Sequence, residues 1–179
     1  MVSQGEELTN IVKYLIDVGE QSNSLKLKQL WLDKIPDLVY VDELKEKYNY
    51  KKEEYIINPI LGEYDSPTNQ IQGLLTVNFN DLGNTIVYGM SESGKDELLQ
   101  TMVYSMIDTY TTDELNLYLI DFGAETLINF MGAPQVGDIV LGADEEKLNN
   151  LVKLLNTELS SRKKMFTAYG GNYADYIKH

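Results

Sequence analysis

Residues 84–97 read NTIVYGMSESGKDE, and this stretch decides the fold. Gly89, Gly94 and Lys95 stand at the spacing of the phosphate-binding loop G-x-x-x-x-G-K-[ST], but Asp96 occupies the position of the final hydroxyl residue. Glycines in such a loop let successive backbone N–H groups converge on phosphate oxygens at the start of a helix. The stretch therefore predicts a nucleotide-binding loop with one altered position.

The segments on either side of this loop support the interpretation. TIVYG (85–89) predicts a strand, and LNLYLID (115–121) predicts a second strand further along the chain. Asp144 is a candidate N-cap for a long helix that Gly170 and Gly171 end. Between the two strands, apolar residues at helical spacing predict an amphipathic helix of about four turns: Leu98, Leu99, Met102, Val103, Met106 and Ile107. This order predicts an α/β fold with a largely parallel sheet flanked by helices.

The first part of the chain is expected to be a helical or irregular extension, residues 1–72, that packs on a domain beginning at residue 73. Gly5–Val18 has the apolar spacing of a helix with one buried face. The stretch 25–44, which carries Trp31, is expected to be irregular and docked so that the indole is covered.

Three further segments precede the loop. Residues 42–55 predict a short exposed helix or a hairpin, and residues 59–70 are rich in turn-forming residues. LLTVNF (74–79) predicts a strand, and DLGN (81–84) predicts the hairpin turn that joins it to the strand at 85–89.

Composition excludes several kinds of chemistry. The chain has no cysteine, and its one histidine is the last residue, His179, so thiolate and histidine metal sites and histidine triads are excluded. The formal charge of −13 opposes a nucleic-acid partner, whose affinity comes largely from Lys and Arg on phosphates. No apolar run approaches the length of about 18 residues that a membrane helix needs.

The candidate nucleotide-binding residues are those of the loop itself. In such loops the lysine reaches the β- and γ-phosphates, and the final hydroxyl binds Mg²⁺. Carboxylates at Glu92, Asp96 and Glu97 repel a triphosphate, so ATP and Mg²⁺ are expected to bind weakly or not at all, with little or no hydrolysis. We assign nucleotide binding to Gly89, Met90, Ser91, Glu92, Ser93, Gly94, Lys95 and Asp96, with no catalytic or metal-binding residue.

A second acid, Asp121, ends the predicted strand at 115–121 and is a possible pocket acid. The residues after it, FGAE, include no glutamate directly after the aspartate, the position from which hydrolytic motors orient water. We interpret Asp121 as lining the crevice at the carboxyl end of its strand, where open α/β sheets bind ligands, rather than as a Walker B acid.

Several stretches taken together resemble a known family. They are KQLWLDKIP (28–36), the run 61–79, NTIVYGMSESGKDELLQTM (84–102), LNLYLIDFGAETL (115–127) and LSSRKKMFTAYGGNYADY (159–176). They resemble the FtsK/SpoIIIE-type ATPase domains, and most of all the tandem ATPase modules of the EssC/EccC family of type VII secretion proteins. The resemblance implies the first part of a second or third module, residues 73–179, with its Walker B strand after the end of this sequence.

The same resemblance implies a context for the chain. It implies a membrane-anchored motor on the cytoplasmic side of the cell membrane, hexameric in full length, that exports small helical-hairpin substrates. The expected partners are other modules of the motor and secreted substrates. Arg162 matches an arginine in the helix before the family's Walker B strand, or it forms a surface ion pair.

Three functions remain open from the sequence. The first is a degenerate ATPase module that binds nucleotide weakly. The second is a protein-interaction or substrate-docking module on a P-loop scaffold that binds no nucleotide, a function that suits the many tyrosines before the loop. The third, an active DNA translocase, conflicts with the acidic charge of the chain.

Overall fold

The computed structural model describes residues 4–21, 32–142 and 144–178, with side chains described from residue 7 onward. Its backbone contacts divide the chain into two compact units. The smaller unit draws on Met1–Ile35 and Asp65–Gln72, and the larger unit comprises Pro36–Tyr64 and Gly73–His179. The predicted boundary at residue 72 stays a prediction, and each unit is described by itself.

The smaller unit contains helix α1 (Gln4–Gln21), which confirms the helix predicted over 5–18. The prediction of a buried face is wrong, because the apolar stripe lies exposed: Leu8, Ile11, Val12, Leu15 and Ile16. Helical spacing creates such a stripe, but only a packing partner buries it, and none of the described residues covers it. Trp31 lies outside the described residues, and its docking therefore stays a prediction.

The larger unit begins with helix α2 (Val41–Lys47), which confirms the helix that was one of two alternatives for 42–55. It also contains residues 60–64 of strand β1 (Ile60–Ser66). Strand β1 pairs with strand β2 (Ile71–Thr76) in a two-stranded sheet. Val41, Leu44 and Ile60 form a buried cluster between α2 and β1, although α2 was expected to be exposed.

The segment before the loop differs from its prediction. DLGN is not a hairpin turn, because residues 79–82 form the short helix α3 (Phe79–Leu82), which Asn78 caps. TIVYG (85–89) forms no strand: Ile86 is 91% exposed and Tyr88 is 97% exposed. A strand is defined by its ladder of hydrogen bonds to a neighbour, and no described strand pairs with this segment.

The centre of the larger unit is helix α4 (Lys95–Thr109) packed on strands β3 (Leu117–Asp121) and β4 (Val136–Leu141). The two strands are parallel, with Leu119 opposite Ile139, as the sequence order predicted for this sheet. Val103, Leu119, Leu127 and Ile139 form one buried cluster, and a second one contains Met106, Tyr110 and Leu115. The predicted helix and the predicted strand at 115–121 are confirmed, whereas β4 was not predicted.

Two helices complete the larger unit. Helix α5 (Glu145–Thr167) begins after Asp144, whose carboxylate accepts the backbone N–H of Lys147 at 3.0 Å, so the predicted cap is confirmed. Gly170 and Gly171 follow with φ angles of 88° and 85°, and they lead into helix α6 (Tyr173–Tyr176). In the described part of the chain, no helix is both long and apolar enough to cross a membrane.

Candidate functional site

The loop at 89–94 leads directly into helix α4, as the motif requires. Gly94 is the N-cap residue, with a φ angle of 83°, and Lys95 is the first helical residue. The nearest atom that a Cβ at Gly94 would meet is Glu97 Oε2 at 3.9 Å. The left-handed backbone, not crowding, therefore requires glycine at this position.

The side chain of Lys95 folds back over the loop. Its Nζ atom donates hydrogen bonds to the carbonyl oxygens of Gly89, at 2.8 Å, and of Met90, and lies 3.4 Å from Ser93 Oγ. A Cβ at Gly89 would stand 2.5 Å from Ser93 Oγ, so the loop closes tightly there. The loop backbone therefore curves around the ammonium group of Lys95, which links its first residues by hydrogen bonds.

The first turn of α4 provides a place for an anion. The opening N–H groups of any helix have no intrahelical acceptor, and the helix dipole gives this end a partial positive charge. Gly94 contributes no capping side chain to satisfy them. These N–H groups and the ammonium of Lys95 are the donors that the sequence motif predicts for phosphate.

The same turn carries the charges that oppose phosphate. Asp96 and Glu97 are exposed residues in the first turn, and Glu92 lies in the loop with a φ angle of 59°. Asp96 offers a carboxylate where the motif has a hydroxyl. A carboxylate is an acceptable Mg²⁺ ligand but adds a full negative charge. The backbone of the loop therefore suits a phosphate group, whereas the negative charges of Glu92, Asp96 and Glu97 oppose one.

Asp121 has a local structural role that the sequence analysis did not include. Its carboxylate accepts the backbone N–H groups of Gly123, at 3.0 Å, and Leu127, at 3.2 Å. Burial raises the pKa of Asp121, but these and neighbouring N–H groups outweigh it and lower the pKa below the usual aspartate value. In the sequence, Asp121 stands two residues before Gly123 in DFG, and this spacing could have predicted such a turn.

The packing also places Asp121 at the same end of the layer as the loop. Val103 packs against Leu119, whereas Met106, nearer the end of α4, belongs to the cluster with Leu115 before β3. Helix α4 therefore runs antiparallel to β3. The carboxyl end of β3 consequently points toward the edge at which α4 begins, and the role of Asp121 as a pocket acid stays a prediction.

Arg162 lies elsewhere, on the exposed side of α5. Its Nε atom donates to Glu158 Oε1 at 2.7 Å, one helical turn away. This pair corresponds to the surface ion pair that the sequence allowed.

A glycine loop that opens a helix, followed by parallel strands, is found in P-loop NTPase folds and in other nucleotide-binding α/β folds, and comparison with known proteins favours the first class. The model of the FtsK/SpoIIIE family matches residues 51–176. The chain therefore belongs to the FtsK/SpoIIIE family.

The relatives that the chain resembles come from secretion systems. It is 24% identical over 166 residues to the type VII secretion system protein EssC of Staphylococcus aureus (strain NCTC 8325 / PS 47). It is 29% identical over 153 residues to the ESX-1 secretion system protein EccCb1 of Mycolicibacterium smegmatis. These matches cover 91% and 83% of the chain but only 11% and 25% of the two relatives.

Two solved structures have a similar fold. One is EssC (ATPases 2 and 3) from Geobacillus thermodenitrificans, with a TM-score of 0.56 and 28% identity. The match covers 62% of this chain and 21% of that one. A structure of the cytoplasmic domain of EssC gives a TM-score of 0.55 at 24% identity. The predicted P-loop NTPase fold and the resemblance to EssC and EccC proteins are thereby confirmed.

Proposed function

We propose that this chain is a nucleotide-binding module of a type VII secretion motor that hydrolyses ATP weakly or not at all. The observation that carries the proposal is the first turn of α4. Gly94 and Lys95 give it the geometry of a phosphate site, while Asp96 replaces the metal-binding hydroxyl. Kinship with EssC and EccCb1 supports the secretion motor as the parent assembly.

Phosphate binding in this proposal requires Lys95 to change partners. In the structure its ammonium donates hydrogen bonds to the carbonyl oxygens of Gly89 and Met90. A triphosphate offers it charged acceptors, which form hydrogen bonds roughly twice as strong as neutral carbonyls do. The remaining phosphate oxygens are bound by the N–H groups of the loop and of the first turn.

Weak turnover follows from the acids near the loop. Asp96 puts negative charge beside the metal position, where a hydroxyl would add none. Asp121 already accepts two backbone N–H groups, which favour its charged form but engage its oxygens. We therefore assign no catalytic residue to the described part of the chain. ATP supplies a phosphoryl group, with Mg²⁺ neutralising its charge, when both are bound.

The proposed partners of this chain are inferred from the same sequence similarity. They are the other modules of one motor chain, hexameric in full length, anchored at the cytoplasmic face of the membrane, and its secreted substrates. We do not propose nucleic acid as a partner, because a formal net charge of −13 opposes binding to phosphate backbones.

The direct test is a calorimetric titration of the chain with ATP, with and without Mg²⁺. We expect saturable binding that Lys95→Ala weakens by at least about tenfold, since a charge-assisted contact is worth about 1.5–3 kcal/mol. Lys147→Ala, in the first turn of α5, is the matched control and leaves the affinity unchanged.

Two outcomes would contradict the proposal. Absence of ATP binding favours the alternative, a docking module on a P-loop scaffold that uses no nucleotide. Binding with steady release of phosphate, sensitive to Lys95→Ala, would show instead an active ATPase.

A further inference from the structure

The larger unit contains a cavity of about 630 Å³ that the nucleotide proposal does not use. Four segments line it: residues 53–57, the turn at 110–114 after α4, residues 158–166 of α5, and α6. No residue of the loop at 89–96 belongs to its wall. Its volume lies within the range of about 300–1,000 Å³ that is typical of ligand pockets.

Part of the cavity lining is apolar and aromatic. Phe166 packs against Tyr173 and Tyr176, with ring centroids 6.3 and 5.4 Å apart. The hydroxyl of Tyr173 donates to the backbone carbonyl of Tyr55 at 2.9 Å, which joins α6 to the segment at 53–57. The apolar lining also includes Ile56, Ile57, Tyr110 and Met165. The rings are therefore positioned by contacts within the wall.

The cavity lining is also rich in acidic residues. Five carboxylates line it: Glu53, Glu54, Asp113, Glu114 and Glu158. Lys52 pairs with Glu114 at 2.6 Å, and Arg162 pairs with Glu158 at 2.7 Å. Among the residues that the structure describes, no cationic side chain forms an ion pair with the other three acids. The cavity therefore carries excess negative charge beside its aromatic wall.

We propose that this cavity binds a basic amphipathic peptide segment of a partner protein, with lysine or arginine next to an aliphatic residue. Lysine and arginine combine an apolar stem with a cationic head, which matches a lining that contains both aromatic rings and carboxylates. Cations bind favourably over tyrosine rings, and the carboxylates at 53, 54 and 113 supply the complementary charge. An aliphatic neighbour fills the space beside Met165 and Phe166.

The test uses a synthetic heptapeptide of alternating leucine and lysine, titrated into the full chain by fluorescence anisotropy. The rim variant combines Glu53→Gln, Glu54→Gln and Asp113→Asn. A control variant, Glu43→Gln with Glu46→Gln and Glu146→Gln, changes the net charge equally at exposed positions outside the cavity wall. We expect the rim variant to bind about fivefold more weakly than the control variant, because each exposed charge pair contributes a fraction of 1 kcal/mol.

Two further measurements change the peptide sequence or add a competitor. Replacing its leucines by serine should weaken binding about tenfold, through lost apolar burial. Equal affinities for the rim and control variants would overturn the proposal in favour of unspecific attraction to an acidic protein. Absence of binding would overturn it too. Displacement of the peptide by spermidine at equal concentration would assign the cavity to small polyamines instead of peptides.

Discussion

Helices α4 and α5 begin alike in sequence but are built differently. Both carry two acids in the first turn, Asp96 and Glu97 in one and Glu145 and Glu146 in the other. Helix α5 caps itself with the side chain of Asp144, whereas α4 begins after a left-handed glycine without any capping side chain. Acids in a first turn therefore do not distinguish a ligand site from an ordinary helix start. What separates α4 is the left-handed glycine at its N-cap followed by Lys95, since α2 also begins with two acids and without a capping side chain.

The largest effect that tests this comparison is expected at the N-cap of α4. Gly94→Ala should lower the free energy of unfolding by about 2 kcal/mol, because its φ angle of 83° is strained for any residue with a Cβ. Urea denaturation followed by circular dichroism measures the loss. Gly123→Ala is the control, since its Cβ would meet Asp121 Oδ1 at an ordinary 3.6 Å. Equal losses at the two glycines would show that the left-handed backbone is not the cause.

Asp121 should behave as a self-capping carboxylate, like Asp144. Asp121→Asn should lower the free energy of unfolding by about 1–2 kcal/mol, because asparagine has one acceptor oxygen and a donor NH₂ group, so it cannot accept the N–H groups of both Gly123 and Leu127. The exposed Asp113→Asn controls for the lost charge.

The pH dependence of that difference has a definite sign. The folded pKa of Asp121 is lowered, so its stabilisation is complete above the usual aspartate pKa of 3.8 and is lost as pH falls through the lowered value. The stability gap between the chain and Asp121→Asn should therefore be widest above pH 5 and close on acidification. A gap that is constant from pH 6 downward would contradict this role for Asp121.

Removing the cap of α5 should change stability without changing the ligand site. Asp144→Ala should lower the free energy of unfolding by about 1 kcal/mol, the usual value for a lost N-cap, while the affinity for ATP stays the same. Asp144→Asn, which keeps a capping oxygen, should restore most of the stability. Loss of ATP affinity in Asp144→Ala would remove the contrast between the two helix starts.

The smallest expected effect concerns the altered position of the motif. Asp96→Ser should raise the affinity for ATP about threefold, because it removes one exposed charge at the phosphate site. The gain should shrink as salt is added, since exposed charges are screened. Glu146→Ser, in the first turn of α5, should leave ATP affinity unchanged. An unchanged affinity in Asp96→Ser would show that its carboxylate does not oppose phosphate.

Local patterns were predictive where one segment supplies all the interactions. The cap at Asp144 and helix α4 were both predictable, since capping and helical hydrogen bonds join residues a few positions apart. Pairing of β1 with β2 was not predicted, because residues 59–70 are rich in turn formers. The turn at Pro67–Asn69 lies between these two strands instead of at DLGN.

The two strands predicted on either side of α4 show why pattern alone is insufficient. TIVYG and LNLYLID are similarly apolar. Leu119 of β3 is 8% exposed because β4 and α4 cover it, whereas the side chains at 86 and 88 lie almost fully in solvent. The stripe of α1 is another example. Burial depends on a neighbour, and neighbours are not encoded in the local spacing of apolar residues.

The sequence by itself determined the phosphate-loop motif, its altered residue at Asp96, the helix that follows and the acidic charge of the chain. These depend on residue identity and short-range spacing. Only the tertiary structure decided that Lys95 binds the carbonyl oxygens of its own loop and that Asp121 caps the turn after β3. It also decided that aromatic and acidic residues far apart in sequence share one cavity. Such contacts exist only once the packing of distant segments has fixed their distances.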